Sequence, residues 1–256
     1  MGAISERGFT IIETMLFLGI SGVLIVAILA GTGTSINIQR YHDSVISLQS
    51  TLQNQYFDST NVTNIPPTGA LTCNTNAAVT VDTSAPSSGR GQSDCVLIGR
   101  YVTIVNDTIT TAGVVGYNNT DPSTYANDIA DLQAYKLSLL PGSSETKTLE
   151  WGTQIAWPAS GSGSKPGATT PRTIAILILR SPESGISYTF TSDDIPTTLT
   201  NIIKGGNQIP GQAQRRLCID SGGPFAGGLA VVIDAYAATS TAIETRSNDM
   251  GDASTC

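Results

Sequence analysis

The chain has 256 residues, 13% of them charged, with 26 glycines and a formal net charge of −7 at neutral pH. That length holds a membrane anchor and one further domain of about 200 residues. The acidic balance argues against a phosphate-binding groove, which needs clustered Lys or Arg, and the one basic doublet, Arg215-Arg216, reads as a solvated strand end. Few charges among many Thr, Val and Ile favour an extracellular β-rich domain over a cytosolic helical one.

The first element is an apolar run over residues 8–31 that holds one acidic side chain, Glu13. An ionised carboxylate in a membrane core persists only where it acquires a partner. A secretory signal places basic residues before its apolar run and a small-residue cleavage site after it. Here a short polar leader ends at Gly8, before the run begins. That order suits processing on the cytoplasmic side, with the helix kept in the mature protein. Residues 9–31 rise about 33 Å at roughly 1.5 Å per residue, enough to cross a bilayer.

The segment Arg7-Gly8-Phe9-Thr10-Ile11-Ile12-Glu13 resembles the cleavage signal of type IV pilins and type II secretion pseudopilins. The resemblance implies a leader over residues 1–8, cut by a prepilin peptidase between Gly8 and Phe9. It also implies N-methylation of Phe9 and an assembly role for Glu13 as the fifth mature residue. Its implied partners are the lipid bilayer before assembly, other pilin subunits, and the inner-membrane machinery that builds the filament. In a stack of parallel helices, Glu13 of one subunit would meet the charged amino terminus of the next. Two groups that lipid leaves unpaired would then neutralise each other. Gly19 and Gly22 weaken the helix and allow close helix approach. Where many family members carry a proline near the end of the span, this chain has Gly31 and Gly33.

Beyond the span, Ile38, Tyr41, Val45, Leu48, Leu52 and Tyr56 recur at steps of three and four. This stripe predicts one rod continuing to residue 57, its second half laid on a sheet. His42, beside the stripe, has a packing or surface role. Residues 58–90 read as a long loop with one short strand around 78–81. Strand text begins at 95–106, with Val96, Ile98, Val102 and Ile104 expected on one face, and 110–117 is expected to pair with it as a hairpin. Residues 127–140 have helical spacing and stop at Pro141-Gly142. Strands are expected at 146–151, 173–180, 186–191 and 216–220, with a turn at 181–185 and a flexible loop at 159–171; residues 229–243 fit a strand or a helix, with a strand as the expectation.

Residues 176–182 with 186–190, and residues 215–222, resemble the H-type minor pseudopilins and minor pilins that carry a β-sandwich head. The four cysteines, Cys73, Cys95, Cys218 and Cys256, all lie outside the anchor and suggest two disulfides in an exported domain. Three connectivities are open, and the sequence-local one, Cys73–Cys95 with Cys218–Cys256, is the expectation. Loops of roughly 20 and 40 residues closed this way contribute about 3–4 kcal/mol each by the loop-entropy model.

No catalytic set stands out: a Ser/His/Asp triad would have to recruit His42 from the stalk. Zinc lacks a Cys-x-x-Cys pair and a second histidine. Asp193-Asp194 and Asp249 with Asp252 are oxygen-rich enough for calcium, although such residues are more often simply solvated. Asn61 and Asn118 begin glycosylation sequons. Trp151 is expected in the core, and Trp157, before Pro158, at the surface.

The expected architecture is α+β: a leader over residues 1–8, a stalk helix over 9–57 with 9–31 in the membrane or filament core, and a β-rich head over 58–256. The expected function is that of a structural pilin-like subunit, displaying its head for adhesion, motility or secretion. It is not expected to be an enzyme, and it needs no cofactor. The alternative is a membrane-anchored adhesin or lectin-like protein that never polymerises.

Overall fold

A computed structural model describes residues 10–60, 70–82, 95–159, 173–204, 209–210, 214–220 and 228–247. Helix α1 (Ile11–Thr60) runs unbroken for 50 residues, about 75 Å at 1.5 Å per residue. Nothing in its sequence stops it, since it contains no proline and its glycines stand singly among strong helix formers. Its second half turns Tyr41, Val45, Leu48, Leu52 and Tyr56 inward, each at most 7% exposed. Ile38 falls outside that stripe at 47% exposure, because the head begins one turn higher.

The remaining elements form an antiparallel head. A hairpin of β1 (Ala70–Cys73) and β2 (Val79–Asp82) comes first. Then follow β3 (Val96–Val105), β4 (Thr108–Tyr117), helix α2 (Asp128–Ala134), β5 (Lys136–Leu139), β6 (Glu145–Thr148) and β7 (Gln154–Ala159). The chain continues through β8 (Thr173–Arg180), β9 (Ser187–Ser192), helix α3 (Leu199–Lys204), β10 (Ile209–Pro210), β11 (Arg215–Asp220), β12 (Leu229–Ile233) and β13 (Ile243–Ser247). The larger sheet has the order β10-β9-β8-β3-β4-β5, with β6 pairing the other end of β4. The smaller has the order β13-β12-β11-β7.

The centre of the larger sheet is buried on both faces, and β8 shows how the sequence arranges this. Ile174, Ile176 and Ile178 enter one core with the α1 stripe and with Leu217 and Val231 of the smaller sheet. Ala175, Leu177 and Leu179 enter the opposite core, covered by Leu132 of α2 and by Leu199, Ile202 and Ile203 of α3. A strand covered on both sides has no polar face to show, so it reads as a continuous apolar run. Arg215 joins the two sheets: its Nε donates to Thr191 Oγ1 at 2.8 Å, and Nη1 lies 3.3 Å from Asp193 Oδ1. At 3% exposure it is a buried clamp rather than the expected solvated strand end.

Several expectations are corrected by packing. The β3 register shifts between Leu97 and Gly99. A bulge changes which face a strand residue meets, so Ile98 joins the core under α2 while Val102 and Ile104 join the α1 core. Glycine is required there, because a Cβ on Gly99 would lie 2.0 Å from the Ile178 carbonyl oxygen. The helix expected over 127–140 stops at Ala134, and Lys136–Leu139 pairs with β4 instead. The strand expected over 146–151 ends at Thr148 and passes into a 3-10 turn. Of the segment 229–243, Leu229–Ile233 is strand; a turn in which Tyr236 has φ of +58° and a 3-10 turn follow, and β13 begins only at Ile243.

Cys73 and Cys95 are bonded as expected, with Cα atoms 5.8 Å apart, and the bond ties the β1–β2 hairpin to the start of β3. Cys218 on β11 is also disulfide-bonded; its expected partner, Cys256, lies outside the described residues.

Candidate functional site

The lower half of α1 is where fold and chemistry part company. Its side chains are apolar on every side, and none is buried by the head: Leu16, Leu24 and Leu29 are 62%, 56% and 65% exposed. Among the described residues α1 is the one helix long and apolar enough to cross a membrane. A helix apolar all round needs an apolar environment on all sides.

Three of its threonine hydroxyls find acceptors within the helix. The hydroxyls of Thr14, Thr32 and Thr34 donate to the carbonyls of Ile11, Leu29 and Ala30 at 2.9, 3.0 and 3.2 Å. This is what a backbone in lipid demands, since no water is available as a substitute partner. A Cβ added at Gly19, Gly22, Gly31 or Gly33 would meet nothing within 4 Å. No contact within the chain therefore requires these residues to be small.

Glu13 sits in the first helical turn, and its carboxylate is engaged. The Thr10 backbone N–H and hydroxyl both donate to Glu13 Oε2 at 3.2 Å, and the Glu13 N–H donates to Thr10 Oγ1 at 3.3 Å. This reciprocal arrangement is a capping box, which satisfies helix donors that otherwise lack partners. The negative charge also suits the positive end of the helix dipole. Sequence reasoning missed it, although Thr10-x-x-Glu13 is the signature of such a cap. Glu13 thus has a role inside its own chain in addition to any role between chains. Gly8 and Phe9, the expected processing site, lie outside the described residues.

In the head, the upper stalk is fixed by buried hydroxyls. Tyr41 donates to the Ile219 carbonyl at 3.0 Å and accepts the Leu229 N–H at 3.0 Å. Tyr56 meets Thr189 Oγ1 at 2.7 Å, and burial, partly offset by that bond, pushes its pKa up to about 12. Burial also raises the Tyr41 pKa, so both phenols stay protonated at physiological pH. Beside α1, a polar cleft of about 420 Å³ is lined by Thr51, Gln55, Asp58, Thr111, Glu145 and Lys147, among others. Lys147 Nζ is already committed there to Ser47 Oγ at 2.9 Å.

The other expected sites are dispersed. His42 is exposed on α1, edge-on to the Tyr41 ring. Asp193 is held by Arg215, and its carbonyl accepts the Thr173 hydroxyl at 2.6 Å; Asp249 and Asp252 lie outside the described residues. Among the described residues no three His, Cys, Asp or Glu side chains are grouped to hold a metal. The Asn118 carboxamide nitrogen donates to Asp131 Oδ1 at 3.1 Å, so this sequon's acceptor nitrogen is committed within the fold. Asn61 lies outside the described residues, as does the Trp157 side chain. Trp151 is the clearest correction: it is 55% exposed rather than core, with the Arg40 guanidinium 4.7 Å from its ring centroid.

Comparison with family models, with curated proteins and with solved structures returns no match.

Proposed function

We propose that this chain is a structural subunit of a type IV pilus or a related filament, polymerising through the lower half of α1 and displaying the β-rich head outside. The observation that carries this reading is a single helix with two environments. Its lower half exposes large apolar side chains that the head does not cover, and its upper half is built into a folded head. Such a helix can rest in a bilayer as a monomer and exchange lipid for neighbouring helices in a filament, because both surroundings are apolar. The disulfides suit a head that works outside the cytoplasm.

In this mechanism a prepilin peptidase cuts before Phe9 and frees its amino group, which is then N-methylated. Glu13 caps its own helix through Thr10 in the waiting subunit and pairs with a neighbour's amino terminus on assembly. The assembly machinery of the membrane lifts the subunit out.

Two substitutions separate the two roles of Glu13. Glu13→Gln retains the capping box, which accepts either residue, but removes the charge; Glu13→Ala removes both. Both variants are expected to insert in the membrane. Their recovery in sheared filaments is expected to fall by at least about tenfold, because breaking a poorly solvated ion pair leaves one charge stranded. Wild-type recovery of both variants would exclude the pairing role. Absence of filaments from the wild type as well would favour the anchored, non-polymerising adhesin.

A further inference from the structure

Trp151 adopts a conformation that a bulky residue avoids. Its φ is +61°, in the left-handed region, and Gly152 follows at +71°. Asparagine or glycine would hold such a turn without strain. The indole is not spent on the core either, being 55% exposed with its face on the Arg40 guanidinium. The turn that presents it is secured on both sides. The Leu149 N–H donates to the Asp107 carbonyl at 2.7 Å, the Ile155 N–H donates to the Asn106 carbonyl at 2.9 Å, and Thr153 meets Ser44 of α1 through their hydroxyls. Backbone strain of this kind persists only where the surroundings hold it, and it clusters at functional sites.

Its level along α1 identifies the partner. No charged residue lies between Glu13 and Arg40. That interval rises about 40 Å at ~1.5 Å per residue, against about 40–45 Å for a bilayer with its headgroups. Below Arg40, Ile36 and Ile38 are still 48% and 47% exposed; directly above it, Tyr41 is the first stalk residue buried in the head. Arg40 and Trp151 therefore stand at the underside of the head, just above the mixed turn Ile36-Asn37-Ile38-Gln39 in which the last exposed isoleucines of the stalk lie. Indole rings concentrate at the membrane–water interface, with the ring in the headgroup layer and the N–H toward polar groups. A guanidinium at the same level reaches phosphate while its stem lies along apolar surface.

We propose that Trp151 and Arg40 form a footing on which the head rests against phospholipid headgroups before assembly. This rests on the reading that the lower half of α1 spans a membrane. Asp43 and Glu150 flank the pair in sequence, so the contact is with individual phosphates through Arg40 rather than with a net negative surface. Zwitterionic lipid suffices. Extraction into a filament breaks the footing, so Trp151 reports whether a subunit is waiting or assembled.

The full chain has two tryptophans, so Trp157→Phe leaves Trp151 as the sole indole, and Trp151→Phe gives the complementary signal for subtraction from wild type. Each is reconstituted in phosphatidylcholine vesicles carrying bromine either high or low on the acyl chain, and insertion is confirmed by flotation. Trp151 is expected to emit at blue-shifted wavelength, to resist aqueous acrylamide, and to be quenched more by shallow than by deep bromine. Arg40→Ala should weaken the shallow quenching and Arg40→Lys should restore part of it. A floating chain whose Trp151 is freely quenched by acrylamide and ignores bromine would overturn the footing while leaving the membrane span intact. A chain that does not float would remove the membrane reading, and the footing with it.

Discussion

The two halves of α1 share one backbone geometry but are helical for different reasons. Above Arg40 a single stripe is buried, with Val45 and Leu48 at 0% exposure, and the opposite face is solvated. There the helix is stabilised by the sheets it touches, which supply the apolar surface that an isolated amphipathic helix lacks. Below Arg40 no side chain is buried by the head, and leucines point every way. In that half three threonine hydroxyls bond back to the helix's own carbonyls, an arrangement suited to an apolar surrounding. The lesson is that helical text and helical environment are separate signals: residues 11–40 leave their apolar side chains uncovered by the head, and residues 41–60 form a joint to it.

The largest effect expected from breaking this contrast is on head stability. Leu48→Ala empties a fully buried site between α1 and the sheets and should cost about 2–5 kcal/mol. The same change at Leu24, 56% exposed, should leave head unfolding unchanged. Denaturant unfolding of the detergent-solubilised full chain reads both. Equal losses would mean that the two halves are not energetically separate.

A smaller effect belongs to the head alone. Asp131 is 1% exposed; its Oδ1 accepts the Asn118 amide, and its Oδ2 has no hydrogen-bond partner. Burial raises its pKa above the usual 3.8, the Asn118 bond opposes this, and the charges of Glu183 and Asp128 add to the rise. The folded head therefore holds this proton more tightly than the unfolded chain does. Its ionisation costs stability at neutral pH, and that cost is relieved as the pH falls through the folded pKa toward 3.8. Asp131→Asn should melt higher than wild type at neutral pH, by a margin that shrinks on acidification. A margin that grows at low pH would contradict the burial argument. Changes in the lower half of α1 should not alter that margin.

Much of this was legible in the sequence because it rests on periodicity. The stalk stripe, the unbroken apolar text of β8 and the β3–β4 hairpin turning at Asn106, with φ of +54°, each carry a local signature. What escaped was set by tertiary contacts. The helical spacing of 127–140 was overridden when β4 offered an edge to Lys136–Leu139. The bulge before Gly99 moved Ile98 to the other core, and no periodicity in a strand announces a bulge. Trp151 was expected inside because large aromatics usually are, whereas a left-handed turn carries it outward. At the candidate assembly site, Glu13 was legible as an anomaly in an apolar run. Its capping bond with Thr10 was written in the same four residues and needed only a helix start to be recognised.

The central claim is that the lower half of α1 stays in the working protein as its membrane and filament segment. Mass spectrometry of the mature amino terminus tests this most directly. The account predicts a chain beginning at Phe9 and carrying an N-methyl group, with Glu13 and the whole apolar half retained. A mature chain beginning near Gly31 would mean that the segment is a discarded signal peptide, and the filament reading would be contradicted.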